Sequence, residues 1–186
     1  MEAFLVSLVV VAAGEIGDKT QLLALLLATR YHRRLAIVLG ILAATLANHT
    51  LAGIVGVWLR NVVPSDWLRW IVAASFLGMA LWSLKPDKLD AQARDGGGAL
   101  RVFAITTGAF FMVEMGDKTQ IATIALAAKY ANLPAVIAGT TLGMLVADAP
   151  VVWLGRAIAA KISLSAARLV AAALFAGLAL VAIFAG

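Results

Sequence analysis

The chain has 186 residues, 63% of them hydrophobic and 13% charged, with a formal net charge of +5 and a mean hydropathy of +0.97. A soluble domain is nearer half apolar and one quarter charged, so too little polar surface exists here to cover a cytosolic globule, and disordered or fibrous chains are excluded as well. The absence of cysteine removes disulfides, thiolate zinc sites and iron–sulfur clusters.

Apolar stretches run over 3–28, 35–59, 67–84, 101–128, 134–160 and 165–186. At about 20 apolar residues per crossing they predict an all-α membrane protein with six transmembrane helices. A lone strand cannot satisfy its backbone in lipid, and the alternation of a membrane barrel is missing. Short polar breaks fall at Arg30–Arg34, Arg60–Asp66, Lys85–Leu100, Lys129–Leu133 and Lys161–Ser163. Only the central one, KPDKLDAQARDGGGAL, has the composition of a flexible linker. The expected organisation is a three-helix repeat over 1–84, a cytoplasmic linker over 85–100 and a second, inverted three-helix repeat over 101–186. The first stretch is read as a retained helix rather than a cleaved signal, because Glu2 and no Lys or Arg precedes it.

Charge placement sets the expected orientation. With both termini outside, the inner loops hold Arg30, Arg33, Arg34, Lys85, Lys88, Arg94, Arg101, Arg156, Lys161 and Arg168, and the outer side only Arg60, Arg69 and Lys129. That imbalance follows the positive-inside rule, and Trp58, Trp67, Trp70 and Trp82 lie near helix ends where interfacial indoles belong. The basic excess is thereby assigned to topology and to the lipid bilayer, with no nucleic-acid partner.

Sliding the sequence on itself by 99 positions aligns its halves without a gap: Glu15-Ile-Gly-Asp18-Lys19-Thr20-Gln21 falls on Glu114-Met-Gly-Asp117-Lys118-Thr119-Gln120. The match continues through Tyr31/Tyr130, Gly40/Gly139, Gly56/Gly155, Arg69/Arg168, Phe76/Phe175 and Gly78/Gly177. Three helices per repeat is an odd number, so the second copy must insert upside down. Inverted repeats with a site near the midplane are a recurring plan of secondary transporters.

Within a continuous helix Glu15, Asp18 and Lys19 share one face, as do Glu114, Asp117 and Lys118. Each motif sits near the bilayer middle, where one charged side chain costs roughly 2.5–3.5 kcal/mol on insertion scales and is rarely placed without function. Inverted symmetry brings the motifs face to face and converges four carboxylates, a hard ligand set suited to Mg²⁺, Ca²⁺ or Mn²⁺. Thr20, Thr119, Gln21 and Gln120 are candidate neutral oxygen ligands, and Gly14, Gly17 and Gly116 are places where a helix can loosen or approach closely. Lys19 and Lys118 are candidate additional ligands or proton relays, with internal Glu–Lys or Asp–Lys salt bridges that fix packing as the plainer alternative. Asp148, at the repeat position of His49 and shortly before Pro150, is a candidate extra ligand or proton carrier. His49 is a candidate relay or a packing histidine beside Asn48. Met112 and Met115, beside Glu114, are expected to face lipid or core.

Ionised, Glu15, Asp18, Glu114, Asp117 and Asp148 outweigh Lys19 and Lys118 by three negative charges. In low dielectric such a site takes up protons or a cation, and exchanging one for the other is antiport.

Two copies of E-x-G-D-K-T-Q in a six-helix chain of this size resemble the Gdt-type cation/proton exchanger family, which includes bacterial MneA-type manganese exporters and eukaryotic Golgi relatives that move Mn²⁺ and Ca²⁺. The resemblance covers essentially the whole chain. It implies an antiporter, not an enzyme, in which Glu15, Asp18, Glu114 and Asp117 ligate the cation and the following Lys and Thr are motif members. It also implies no resident cofactor, only transported Mn²⁺ or Ca²⁺ and protons, and a multi-pass protein of the bacterial plasma membrane. A homo-oligomer stays open. Membrane aspartyl proteases carry G-x-G-D, but the first Gly is absent from both copies, and no H-E-x-x-H motif exists. The closer rival is an exporter of a small organic cation or amino acid on the same architecture, which needs a more apolar pocket.

Overall fold

The computed structural model describes residues 1–84, 98–154 and 164–184. Most of the expected linker, together with Gly155, Arg156 and Lys161, lies outside them. All regular structure among the described residues is helical: α1 (Glu2–Glu15), α2 (Lys19–Tyr31), α3 (Arg34–Val62), α4 (Ser65–Ser83), α5 (Ala99–Glu114), α6 (Lys118–Lys129), α7 (Leu133–Leu154) and α8 (Leu164–Phe184).

The continuous helices expected over 3–28 and 101–128 are corrected by the structure. Each is a pair of helices broken inside the charged motif. Gly17 has φ +83° and Gly116 φ +76°, a left-handed conformation that costs a residue with a Cβ about 1–2 kcal/mol. The α5–α6 pair bends by 72° at its break and counts as a third candidate span beside α3 and α7, which are each long and apolar enough to cross a membrane.

The helices pack as α1 on α7, α3 on α5 and α4 on α8, with α6 held against α3 and α4. Lipid offers no hydrophobic drive between helices, so small residues that let backbones approach decide such contacts. A Cβ at Gly139 of α7 would lie 2.4 Å from the Phe4 carbonyl oxygen and 2.9 Å from Ser7 Cβ on α1. At the repeat-equivalent Gly40 of α3 it would lie 2.7 Å from Thr106 Cβ on α5, and Thr106 is the repeat mate of Ser7. Gly78, by contrast, has nothing within 4 Å of its missing Cβ. Gly139→Leu is therefore expected to lower stability in detergent by about 1–3 kcal/mol through overpacking, and Gly78→Leu to leave it near wild type. The midpoint of thermal aggregation checks both.

Polar and apolar residues are placed inversely to a soluble globule. Leu5, Leu39, Ile54, Leu81, Leu142 and Leu180 are exposed, as are Trp58, Trp67, Trp70 and Trp82, whereas Glu15, Asp18, Asn48, His49, Glu114, Asp117 and Asp148 are buried. Met112 and Met115 lie on the exposed apolar side. This is the exterior of a membrane protein, with its ionisable groups turned inward.

Contacts sort the basic residues to two ends. At one, Arg33 and Arg34 border a cavity of about 520 Å³ with Ala99 and Leu100, and the Arg34 guanidinium lies 5.9 Å over the Trp153 ring. At the other, Arg60, Arg69, Lys129 and Ala182 border a cavity of about 260 Å³. There Arg60 Nη1 donates to the Ala127 and Tyr130 carbonyls at 3.3 and 2.8 Å, satisfying the open C-terminal end of α6. The Tyr130 hydroxyl donates to Glu2 Oε1 at 3.0 Å, so the start of α1 shares this end.

Candidate metal centre

Both helix breaks are built alike. Glu15 closes α1, Asp18 stands at the N-cap of α2, and Lys19 begins α2; Glu114, Asp117 and Lys118 repeat the pattern between α5 and α6. The three charged residues therefore do not share one helix face. The break itself turns them inward together.

Each break leaves backbone N–H groups without an intrahelical acceptor, and the motif glutamine serves one of them. Gly17 N–H donates to Gln21 Oε1 at 2.9 Å, and Gly116 N–H donates to Gln120 Oε1 at 2.7 Å. The glutamine carbonyl oxygens are thus engaged by the backbone of the breaks. Their amides tie each break to the neighbouring long helix: Gln21 Nε2 donates to the Ala147 carbonyl at 3.0 Å, and Gln120 Nε2 to Asn48 Oδ1 at 2.9 Å. Positions 48 and 147 are repeat mates. One half makes this tie with a side chain and the other with backbone, which hides Asn48 from a search for matched polar residues. Asn48 Nδ2 also donates to the Phe111 carbonyl at 3.1 Å.

The aspartate–lysine pairs run between the motifs, not within them. Lys118 Nζ lies 2.6 Å from Asp18 Oδ1, and Lys19 Nζ lies 2.8 Å from Asp117 Oδ1. Each ion pair therefore ties the start of one broken helix to the start of the other. The glutamates have no lysine this close among the described residues. The Thr20 hydroxyl donates to Glu15 Oε2, and Thr119 donates to Glu114 Oε2 at 3.2 Å. The second oxygen of each glutamate, Oε1, makes no hydrogen bond among the described residues. Carboxylate oxygens of Glu15, Glu114 and Asp117 all lie within 4.8 Å of one another.

Two more buried groups stand at this cluster. His49 Nε2 is 3.8 Å from Glu114 Oε2. Asp148 lies within electrostatic reach of Glu15, Glu114 and Asp18, and neither of its oxygens has a hydrogen-bond partner among the described residues. A cavity of about 140 Å³ lined by Ala12, Ile16, Gln21, Ala147 and Pro150 borders the first break. Three buried carboxylates this close, with oxygens unengaged among the described residues, form a hard ligand set that suits a small cation.

The sequence profile of the divalent cation/proton antiporter GDT1 matches residues 3–91 and 102–186. The chain belongs to the GDT1 family. It is accordingly a transporter and not an enzyme. The antiporter is 49% identical over 185 residues to a Vibrio cholerae protein named "Putative manganese exporter", a match that covers 99% of this chain and 92% of the relative. It is 32% identical over 199 residues to a GDT1-like protein of Synechocystis, covering 94% of this chain and 93% of that one. A GDT1-like protein of Arabidopsis thaliana is 31% identical over 200 residues, with 88% of this chain and 87% of the relative covered. No solved structure matches the antiporter.

Proposed function

We propose that this chain exports a divalent cation, Mn²⁺ in preference to Ca²⁺, across a bacterial inner membrane in exchange for protons. Glu15, Glu114 and Asp117 hold the ion and Asp18 completes the set of four motif carboxylates. The observation that carries this reading is the meeting of glutamates from both motifs at one place, with oxygens that no donor among the described residues engages. Manganese is supported by the name of the Vibrio relative.

The reading includes six crossings: α1 with α2, α3, α4, α5 with α6, α7, and α8. The two halves are taken as inverted repeats. Support comes from contacts between repeat mates, which can touch only beside the axis that relates them. The rings of Phe76 and Phe175 stack at 6.4 Å, and the crossed pairs Asp18–Lys118 and Asp117–Lys19 are exchanged by the same operation. Both termini are assigned to the outside, with Arg60 and Lys129, because Arg33 and Arg34 lie at the other end and the positive-inside rule puts the basic loops of the sequence inside.

Charge balance supplies the coupling. The five buried carboxylates exceed the two lysines by three charges, and a low-dielectric site requires that excess to be met by a cation or by protons. Arrival of a divalent ion then releases protons, and their return on the outer side readies the site for the next ion. Mn²⁺ binding is expected to acidify a weakly buffered solution of the detergent-solubilised protein, read with a pH indicator. Metal uptake with no proton release at any pH rules the coupling out.

Flux in proteoliposomes tests the whole reading. Mn²⁺ should move against its own gradient when a pH difference is imposed, and Asp117→Asn should stop it. Flux that only ever runs downhill indicates a passive channel. No flux of Mn²⁺ or Ca²⁺ by wild type overturns the proposal and favours the organic-solute exporter.

A further inference from the structure

The halves differ where the repeat places His49 opposite Asp148. His49 is fully buried, on α3, and neither ring nitrogen has a hydrogen-bond partner among the described residues. Leaving a buried polar group unpaired costs about 1–3 kcal/mol, so a packing histidine would be expected to find a carbonyl or hydroxyl. Its neighbour Asn48 has spent its amide on the Phe111 carbonyl and its oxygen on Gln120. What His49 does face is one carboxylate of the cluster: its Nε2 stands 3.8 Å from Glu114 Oε2, beyond hydrogen-bond distance. Two ligand atoms at that separation, each about 2.2 Å from a shared cation, subtend roughly 120° at it. The separation is short enough for one cation to touch both atoms.

Resting on the proposed carboxylate site, we propose that the neutral imidazole of His49 is a nitrogen ligand of the transported ion and sets the preference for first-row transition dications over Ca²⁺ and Mg²⁺. Ca²⁺ and Mg²⁺ are held by oxygen, whereas imidazole serves transition metals and gains affinity along the series that begins at Mn²⁺. An all-carboxylate cage offers little to separate Mn²⁺ from Ca²⁺. One nitrogen supplies the difference, and the second half of the repeat, with Asp148 at this position, has none to offer.

The test is pulsed electron paramagnetic resonance of Mn²⁺ on the tag-free protein, using wild type grown with ¹⁵N-histidine and the variants His49→Gln and His49→Leu. The chain has two histidines, and the other, His32, lies on the exposed turn after α2. Labelled wild type should show ¹⁵N coupling to bound Mn²⁺, and His49→Gln should lose it. By calorimetry, the Mn²⁺/Ca²⁺ affinity ratio should fall at least tenfold in His49→Gln, which puts a hard oxygen in place of nitrogen. Bound Mn²⁺ that depends on Glu114 but shows no histidine coupling in wild type overturns this inference and leaves the carboxylate site standing. Coupling that survives in both variants overturns it equally. No Mn²⁺ bound by wild type overturns the site itself. If neither His49 variant folds, labelled His32→Gln decides: coupling kept there assigns it to His49, and coupling lost overturns the inference.

Discussion

Glu114→Gln is expected to abolish Mn²⁺ binding while leaving the fold intact or slightly firmer. Glu114 ends α5 with one oxygen on the Thr119 hydroxyl and the other unengaged among the described residues, inside a cluster of like charges. The lysines are paired with Asp18 and Asp117, so the amide takes no close ion-pair partner from its neighbours. It keeps an oxygen for Thr119 and relieves repulsion with Glu15 and Asp117. What it loses is an anionic ligand atom. Changing a residue that merely orients a ligand already costs 10–100-fold in metal affinity, so removing a ligand is expected to cost on the order of 100-fold or more. Because a ligand stabilises the state it binds, the measurement is a thermal shift with and without Mn²⁺. Wild type should gain, Glu114→Gln should not, and Glu15→Gln should match it. Glu2→Gln, at the far end beside Tyr130, should respond like wild type. A Glu114→Gln protein that Mn²⁺ stabilises as much as wild type would remove Glu114 from the site.

The parts of this site differ in how far the sequence reveals them. The repeat is visible because charged residues are scarce in apolar helices, so a shared run of Glu, Asp and Lys stands out. The same background hides the helix breaks. One glycine in an apolar run costs a helix only about 1 kcal/mol, so Gly17 and Gly116 are compatible with an unbroken helix until something pays for the turn. That something is the motif glutamine on the glycine N–H and the lysine of the opposite motif on the aspartate. The glutamine contact is local, four residues away, but the same side chain in a continuous helix is an equally good reading. The lysine contact joins residues one repeat apart and exists only once both halves are folded together. For this reason the spacing of Asp18 and Lys19 suggests a pair within one motif, whereas the structure crosses them. Asn48 is hidden differently, since its repeat mate is Ala147 and the equivalent bond there uses a backbone carbonyl.

The crossed pairs should also prove unequal. Lys118 is 4% exposed and its partner Asp18 fully buried, whereas Lys19 is 21% exposed. Taking one member from a buried ion pair costs about 3–5 kcal/mol, because the other charge stays behind in low dielectric. An exposed pair is worth about 0–1 kcal/mol. Lys118→Met is therefore expected to destabilise the protein by about 3–5 kcal/mol, enough to unfold much of it at growth temperature. Lys19→Met, between the two regimes, should cost about 1–2 kcal/mol. The sign is opposite to that of Glu114→Gln: removing a positive charge deepens the excess of carboxylates, and removing a negative one relieves it. Adding Asp18→Asn to Lys118→Met should recover most of the lost stability, since the charge left behind is then gone. Reversible unfolding in mixed micelles, read by tryptophan fluorescence, gives all four corners of this cycle. A Lys118→Met protein as stable as wild type would show that the crossed pairs do not hold the two breaks together. Added Mn²⁺ should narrow the gap between Lys118→Met and wild type, because a divalent ion among the carboxylates replaces part of the charge the ammonium supplied.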